Sequence, residues 1–237
     1  MKLHHGLGPV FGLFFLAACG SEEEVTEIQP IDYYQGTASA ELGAAGNQAR
    51  CSTCHSNDGS KRSGASLKDI AYRTAFKGGD APNLLAGTNA CVTGWMGGTA
   101  LTATDPGYVG LLSYLQSISS PSVTTPNPLA PEVLANEAAY ETAYAGGDAT
   151  AGATKYSASC GGCHDGSIKV GPASSYPKSG LKSFSVGRIA QKVRTSGPPP
   201  SGSADASDST PGPMPFFEPT DLSAQDLKDI IAHLKAG

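Results

Sequence analysis

The apolar positions fall into short helical stretches separated by polar or Gly/Pro-rich segments, and the stretches come in two similar sets. In the first, Ala38 to Ala49 is Ala-rich enough for a helix, although Gly43 and Gly46 weaken it. Leu67, Ile70, Ala71 and Thr74 follow at helical spacing, and Gly78, Gly79 and Pro82 close that helix. A Gly/Asn-rich loop then carries Trp95 and Met96. Asp105 stands as an N-cap with Pro106 at the first helical position, opening a helix whose face is Leu111, Tyr114, Leu115 and Ile118. The second set repeats the plan. Ala149 to Ser159 predicts a helix, and Val186, Ile189, Ala190 and Val193 an amphipathic one. A flexible loop from Gly197 to Pro213 delivers Met214. Ser223 and Asp226 make a capping-box-like start for a last helix with Leu227, Ile230, Ile231 and Leu234 on one face. Between the sets, Ser119 to Pro131 carries Pro121, Pro126, Pro128 and Pro131 and reads as an extended linker. Pro131 can start a helix over Glu132 to Ala143, which Gly146 and Gly147 end. The fold class is all-α, with an internal repeat.

The beginning of the chain has a different pattern. Lys2, His4 and His5 precede an apolar run from Leu7 to Ala18, which is of signal-peptide length and too short for a stable bilayer span. It ends in Leu16-Ala17-Ala18-Cys19-Gly20, which resembles the lipobox of bacterial lipoproteins. That resemblance implies that Cys19 is lipidated and begins the mature chain, with an ordinary small-residue cleavage site as the alternative. Ser21-Glu22-Glu23-Glu24 then opens a solvated tether. The expected division is a signal peptide at 1–18, a lipidated acidic tether at 19–36, a first domain at 37–119, a Pro-rich linker and helix at 120–146, and a second domain at 147–237.

The candidate chemistry lies in Cys51-Ser-Thr-Cys54-His55 and its copy Cys160-Gly-Gly-Cys163-His164. Cys-x-x-Cys-His is the attachment signature of a c-type haem, and two copies imply two covalently bound haems. Cysteines three apart reach the two vinyl groups of one porphyrin, and the following histidine is held against the ring to bind iron. A four-cysteine zinc site or a pair of thiol redox motifs would not explain a histidine after each motif. Haem also answers a compositional difficulty. With 30 glycines, 17 prolines and only 16% charged residues, two small halves would struggle to build aliphatic cores, and each haem supplies a large apolar body.

The order haem motif, loop, helix, methionine loop, capped helix is similar to the class I cytochromes c. The resemblance implies two tandem domains, each a small helical bundle wrapped around a haem, with N- and C-terminal helices crossing beside it. It further implies that Met96 and Met214 are the sixth iron ligands opposite His55 and His164. Pro213 and Pro215 stiffen the stretch around Met214. Tyr114 takes the place of the aromatic residue that packs on the first helix, and His233 holds the corresponding place in the second half. By the same resemblance, Gly171-Pro172 places a backbone carbonyl on the His164 imidazole, whereas no Gly-Pro follows His55. Trp95 suits either a hydrogen bond to a haem propionate or packing on the ring edge. Cys91, five residues before Met96, reads as a small buried hydrophobe. Its alternative is to replace or compete with Met96, as in the His/Cys-ligated haem of thiosulfate dehydrogenases.

After the signal peptide and Cys19, only His55, His164 and His233 remain, so bis-histidine ligation of several haems is excluded. His/Met ligation favours a raised potential. The net charge of −5, with no basic stretch, excludes nucleic acid as a partner. The expected function is a dihaem electron carrier relaying single electrons between a membrane-bound donor and an acceptor. Its expected place is the periplasm or cell surface, lipid-anchored to a bacterial membrane, with Ser21 leaning towards the outer one. The rivals are a haem-dependent oxidoreductase, acting on sulfur compounds through Cys91 or as a peroxidase, and a cytochrome subunit of a larger oxidase or dehydrogenase. A peroxidase needs acid/base groups at a vacant site, and histidine is scarce.

Overall fold

A computed structural model describes residues 27–60, 64–77, 81–127, 131–166, 168–195 and 214–237. The expected signal peptide, Cys19 and the loop from 197 to 213 lie outside the described residues. Among those described the fold is helix-rich, with one two-stranded hairpin.

In the first half, α1 (Asp32–Gln35) and α2 (Thr37–Glu41) lead towards α3 (Cys51–Cys54), followed by α4 (Leu84–Gly94) and α5 (Pro106–Ser117). The expected helix from Ala38 to Ala49 is cut short at Glu41. The backbone turns through Gly46 at φ +81°, and Asn47 closes the turn by donating to the Ala40 and Ala49 carbonyls. No helix forms over Leu67 to Thr74. Asp69 adopts φ +59°, and its carboxylate accepts from Ser120 N (2.8 Å), so the segment is tied to the end of α5 instead. The helix forms later, where a loop was expected. Asn83 accepts from Ala86 N at 2.8 Å and caps α4, which carries Cys91 and delivers Trp95 and Met96. Asp105 and Pro106 stand where expected, although the Asp105 carboxylate accepts from Thr102 N rather than from within α5.

Tyr34 stacks on Tyr114 with ring centroids 5.0 Å apart, and both are buried. The packed part of the first half therefore reaches back into the stretch assigned to the tether. Segment 119–127 also lies along this half, with Arg73 Nη1 donating to the carbonyls of Thr125 and Pro126 and Asn127 N to Ala75 O.

The second half contains α6 (Glu137–Tyr144), α7 (Ala149–Ser159), α8 (Gly161–His164), the hairpin β1 (Lys169–Val170) with β2 (Ala173–Ser174), α9 (Lys178–Leu181), α10 (Val186–Thr195) and α11 (Ala224–Ala236). Asn136 rather than Pro131 caps α6, so that helix starts five residues later than expected. Its Tyr140 and Tyr144 are buried among the second core, and α6 packs on α10, so this helix belongs to the second half rather than to a linker. Helix α7 crosses α11 at close range. A Cβ on Gly152 would stand 1.9 Å from the Asp229 carbonyl, so only glycine admits this approach. Ser223 accepts from Asp226 N at 3.1 Å and opens α11 as expected.

The same crossing buries Asp229. Its carboxylate accepts from Asp148 N (2.9 Å), Lys155 Nζ (2.6 Å) and Gln225 Nε2 (2.8 Å). The Asp148 amide first, then Lys155 and Gln225, hold its pKa down to about 2. A carboxylate whose pKa is lower folded than unfolded stabilises fully above its unfolded value and loses that contribution as pH falls through the folded one. Acid unfolding is therefore expected to steepen between about pH 4 and pH 2. Asp229→Asn is expected to flatten that limb, which thermal melts across this range would read.

Candidate functional site

The first site is a cleft between α3, α4 and α5. It is lined by Cys51, Cys54 and His55 on one wall, by Cys91, Trp95 and Met96 from α4 and its end, and by apolar side chains including Ile70, Phe76 and Leu111. About 1380 Å³ of non-atom space lies inside it, part of it open to solvent. The Cys51 amide donates to Ser39 Oγ (3.0 Å), and Ser39 Oγ in turn donates to the Cys51 sulfur (3.4 Å). The Arg50 guanidinium donates to Gln35 O at 2.8 Å.

His55 is held at both ends. Its carbonyl accepts from Tyr34 Oη at 2.6 Å, and its Nδ1 lies 2.7 Å from Ala65 O. A carbonyl only accepts, so Nδ1 carries the proton and Nε2 keeps the lone pair that a metal needs. Gly64 permits the close loop, since a Cβ there would stand 2.6 Å from the His55 ring. The acceptor for His55 is thus Ala65, ten residues on, which no Gly-Pro marks in the sequence.

The second site repeats the proximal arrangement. His164 Nδ1 lies 2.6 Å from Tyr176 O, so Nε2 is again free to bind. The Gly171-Pro172 expectation is corrected here: Tyr176, just before Pro177, supplies the carbonyl, and Gly171-Pro172 turns the hairpin instead. Met214 packs on the second core together with Cys160. His233 is a packing residue, with its ring 5.6 Å from Tyr156 and its Nε2 2.9 Å from Lys178 Nζ.

These residues fit haem c. Burial pushes the Cys51 thiol up to about 11 and the Cys160 thiol up to about 12, so neither is a ready thiolate for redox exchange at neutral pH. Among the described residues no three His, Cys, Asp or Glu side chains converge, so the two cysteine pairs do not combine into one zinc site. A fully buried Arg194 leaves Nη2 without a hydrogen-bond partner among the described residues. Sequence reasoning missed Arg194, Ala65 and Tyr176. Two of them act through backbone carbonyls, which no residue type announces.

The structure brings Met96 and Cys91 into the same cleft as His55. Met96 is buried, and its carbonyl accepts from Ala44 N at 2.7 Å. The Cys91 sulfur lies 4.0 Å from Lys77 Nζ. Burial raises the Cys91 pKa, but its interactions with the nearby His55 side chain and the Lys77 charge outweigh it and leave the thiol below its usual range.

A helix-rich chain with cysteine pairs and carbonyl-anchored histidines has the makings of a c-type cytochrome. Residues 147–234, from two residues before α7 through Leu234 of α11, match the family model for cytochrome C oxidase, cbb3-type, subunit III. That span contains Cys160, Cys163, His164 and Met214, and the match supports a c-type cytochrome with covalently bound haem and a part in electron transfer. No curated protein matches the chain.

Proposed function

We propose that the chain is a dihaem electron-transfer cytochrome c, made of two tandem domains, that relays single electrons between redox partners in the periplasm or at the cell surface. Cys51, Cys54 and His55 hold the first haem and Cys160, Cys163 and His164 the second, with Met96 and Met214 as the sixth ligands. When bound, haem c supplies an iron that takes up and gives up one electron at a time. The observation that carries the reading is the repeated proximal arrangement. His55 on Ala65 O and His164 on Tyr176 O present the same tautomer, although only the second half lies within the matched family span. Ordering the imidazole through a carbonyl fixes ring orientation and raises its basicity towards iron. Apolar side chains such as Ile70, Phe76, Leu84, Leu111 and Leu115 make up much of the wall of the first site and suit a porphyrin face, with Arg50, Lys77, Glu218 and Asp221 also lining it. Cys19 anchors the chain by lipid, and a mildly acidic surface suits a basic partner.

A second reading follows from Cys91, which lines the same cleft as His55 and whose sulfur lies 4.0 Å from Lys77 Nζ. It makes Cys91 the sixth ligand of the first haem and that haem an oxidant of sulfur compounds. Ferric optical spectra separate the two. If the carrier reading holds, purified full-length chain carries two haems, and Met96→Ala removes roughly half of the far-red sulfur-to-iron band while Cys91→Ala leaves it. Loss of low-spin character on Cys91→Ala alone would replace the carrier by the oxidoreductase. A single haem per chain would overturn both.

A further inference from the structure

The hairpin that follows the second haem motif does not stay in its own half. Lys169 O accepts from Gln48 N (2.8 Å) and Ala49 N (3.2 Å), and Lys169 N donates to Gln48 Oε1 (2.9 Å). Gly171 N donates to Asn47 Oδ1 (2.8 Å), and the Gly171 amide and the Asn47 side chain are both buried there. The same Asn47 closes the turn that leads into Cys51. The tip then presses on the Met96 loop. A Cβ at Gly171, which has φ +68°, would stand 2.8 Å from Trp95 O and 3.2 Å from Met96 C. A Cβ at Gly97, with φ +67°, would stand 2.9 Å from Pro172 Cδ. Two left-handed glycines thus face each other across the boundary, and neither strand of backbone can move towards the other.

We infer that Gly171 and Pro172 are positioning residues for Met96, so that the second half sets the sixth-ligand geometry of the first haem. The inference rests on Met96 being that ligand. A thioether is a weak ligand, and its hold on iron depends on a backbone that keeps sulfur in reach. On one side the Met96 carbonyl is fixed by Ala44 N, within the first half. On the other side the Gly171-Pro172 tip is the floor, and it is rigid because Asn47 grips it. The hairpin lies between His164 and its acceptor Tyr176, so one loop serves the proximal side of the second haem and the distal side of the first. The contact is reciprocal: Pro215 and Phe216, directly after Met214, line the first cleft.

The test is the far-red methionine-to-iron band of full-length ferric protein. Gly171→Ala pushes a methyl group into the Trp95–Met96 backbone and is expected to remove about half of the band, the share that Met96→Ala removes. The double variant Gly171→Ala/Met96→Ala is expected to lose no more than Met96→Ala alone, which assigns the effect to the first haem although the hairpin belongs to the second. Gly146→Ala, at φ +72° with nothing within 4 Å of its Cβ, carries similar backbone strain without the contact and should leave the band whole. If Gly171→Ala loads fewer haems, Pro172→Ala decides instead: a weakened band supports the inference and an unchanged one overturns it. A full band in Gly171→Ala, or a further loss in the double variant, overturns it while leaving Met96 as ligand. An unchanged band in Met96→Ala removes the ligand assignment itself.

Discussion

Replacing Arg194 by alanine is expected to lower the unfolding free energy by about 3 kcal/mol or more and to loosen the segment that carries Met214. Arg194 is fully buried at the end of α10. Its Nε donates to Tyr144 Oη (2.8 Å), and its Nη1 donates to the carbonyls of Phe217 (3.1 Å) and Leu222 (2.8 Å). It also lies over the Tyr144 ring, 5.3 Å from the centroid. One side chain therefore ties α6, the stretch after Met214 and the entry to α11. Truncation strands two buried carbonyls, each costing about 1–3 kcal/mol. Glu132 lies 3.3 Å from Nε, but its side chain is 31% exposed, so the carbonyls rather than the ion pair carry the effect. Burial, and then the bond to Glu132, push the Tyr144 hydroxyl up to about 12, so it stays a donor to Glu132 while accepting from Arg194. Arg194→Lys is expected to recover only part of the loss, since one ammonium cannot reach a phenol and two carbonyls in different directions. Denaturant midpoints give the stability, and the share of the far-red band that Met214→Ala removes gives the ligand. A loss under about 1 kcal/mol would contradict this account of Arg194.

Arg194 also marks the line between what was legible in the sequence and what was not. Its α10 was legible because Val186, Ile189, Ala190 and Val193 keep helical period, and α11 because Ser223 and the Leu/Ile face announce both its start and its buried side. What a period cannot reveal is that a charged residue one position after Val193 turns inward to satisfy carbonyls from a distant loop. The first half reads less well because its α4 is built largely of Ala, Gly, Thr and Asn. Helix α4, Leu-Leu-Ala-Gly-Thr-Asn-Ala, has almost no apolar contrast between faces, and Gly87 sits against Phe76 where a larger residue would crowd. The cysteine and histidine positions were legible at once, since covalent chemistry fixes residue type and spacing. The carbonyls of Ala65 and Tyr176 were not, because a loop can bring any residue's carbonyl to an imidazole. The hairpin at 169–174 was missed for a related reason: its hydrogen-bond partners at 47–49 lie in the other half, and two-residue strands leave no alternation to read.

On the dihaem function proposed above, changing both Cys51 and Cys54 to alanine is expected to lower the haem content from about two to about one per chain and to unfold most of the first half. Among the described residues the first core holds seven buried side chains and the second twelve. Of the seven, Ile70, Phe76, Leu111 and Leu115 line the cleft, so on that side the proposed first haem would be their packing partner. Burying each such side chain contributes about 1.5–3 kcal/mol, and without the ring that contribution is lost or replaced by collapse of the cleft. The remaining contacts, chiefly Tyr34 on Tyr114, cannot hold α1 and α5 together by themselves, as a stacked pair adds only about 0.5–1.5 kcal/mol beyond its burial. Cys160→Ala with Cys163→Ala is expected to spare more helix, because α6, α7, α10 and α11 share an apolar core built on Tyr140, Tyr156, Leu227 and Ile230. Far-UV circular dichroism and limited proteolysis, alongside a pyridine haemochrome count, compare the two double variants directly. Equal helix loss in both would mean that the haem serves as core to the same extent in each half. The unequal outcome also has a consequence for ligation: with 47–49 unfolded, the hairpin tip at Gly171 loses its seat, yet His164 keeps its own acceptor at Tyr176. The second haem should therefore survive the loss of the first with its histidine ligand in place.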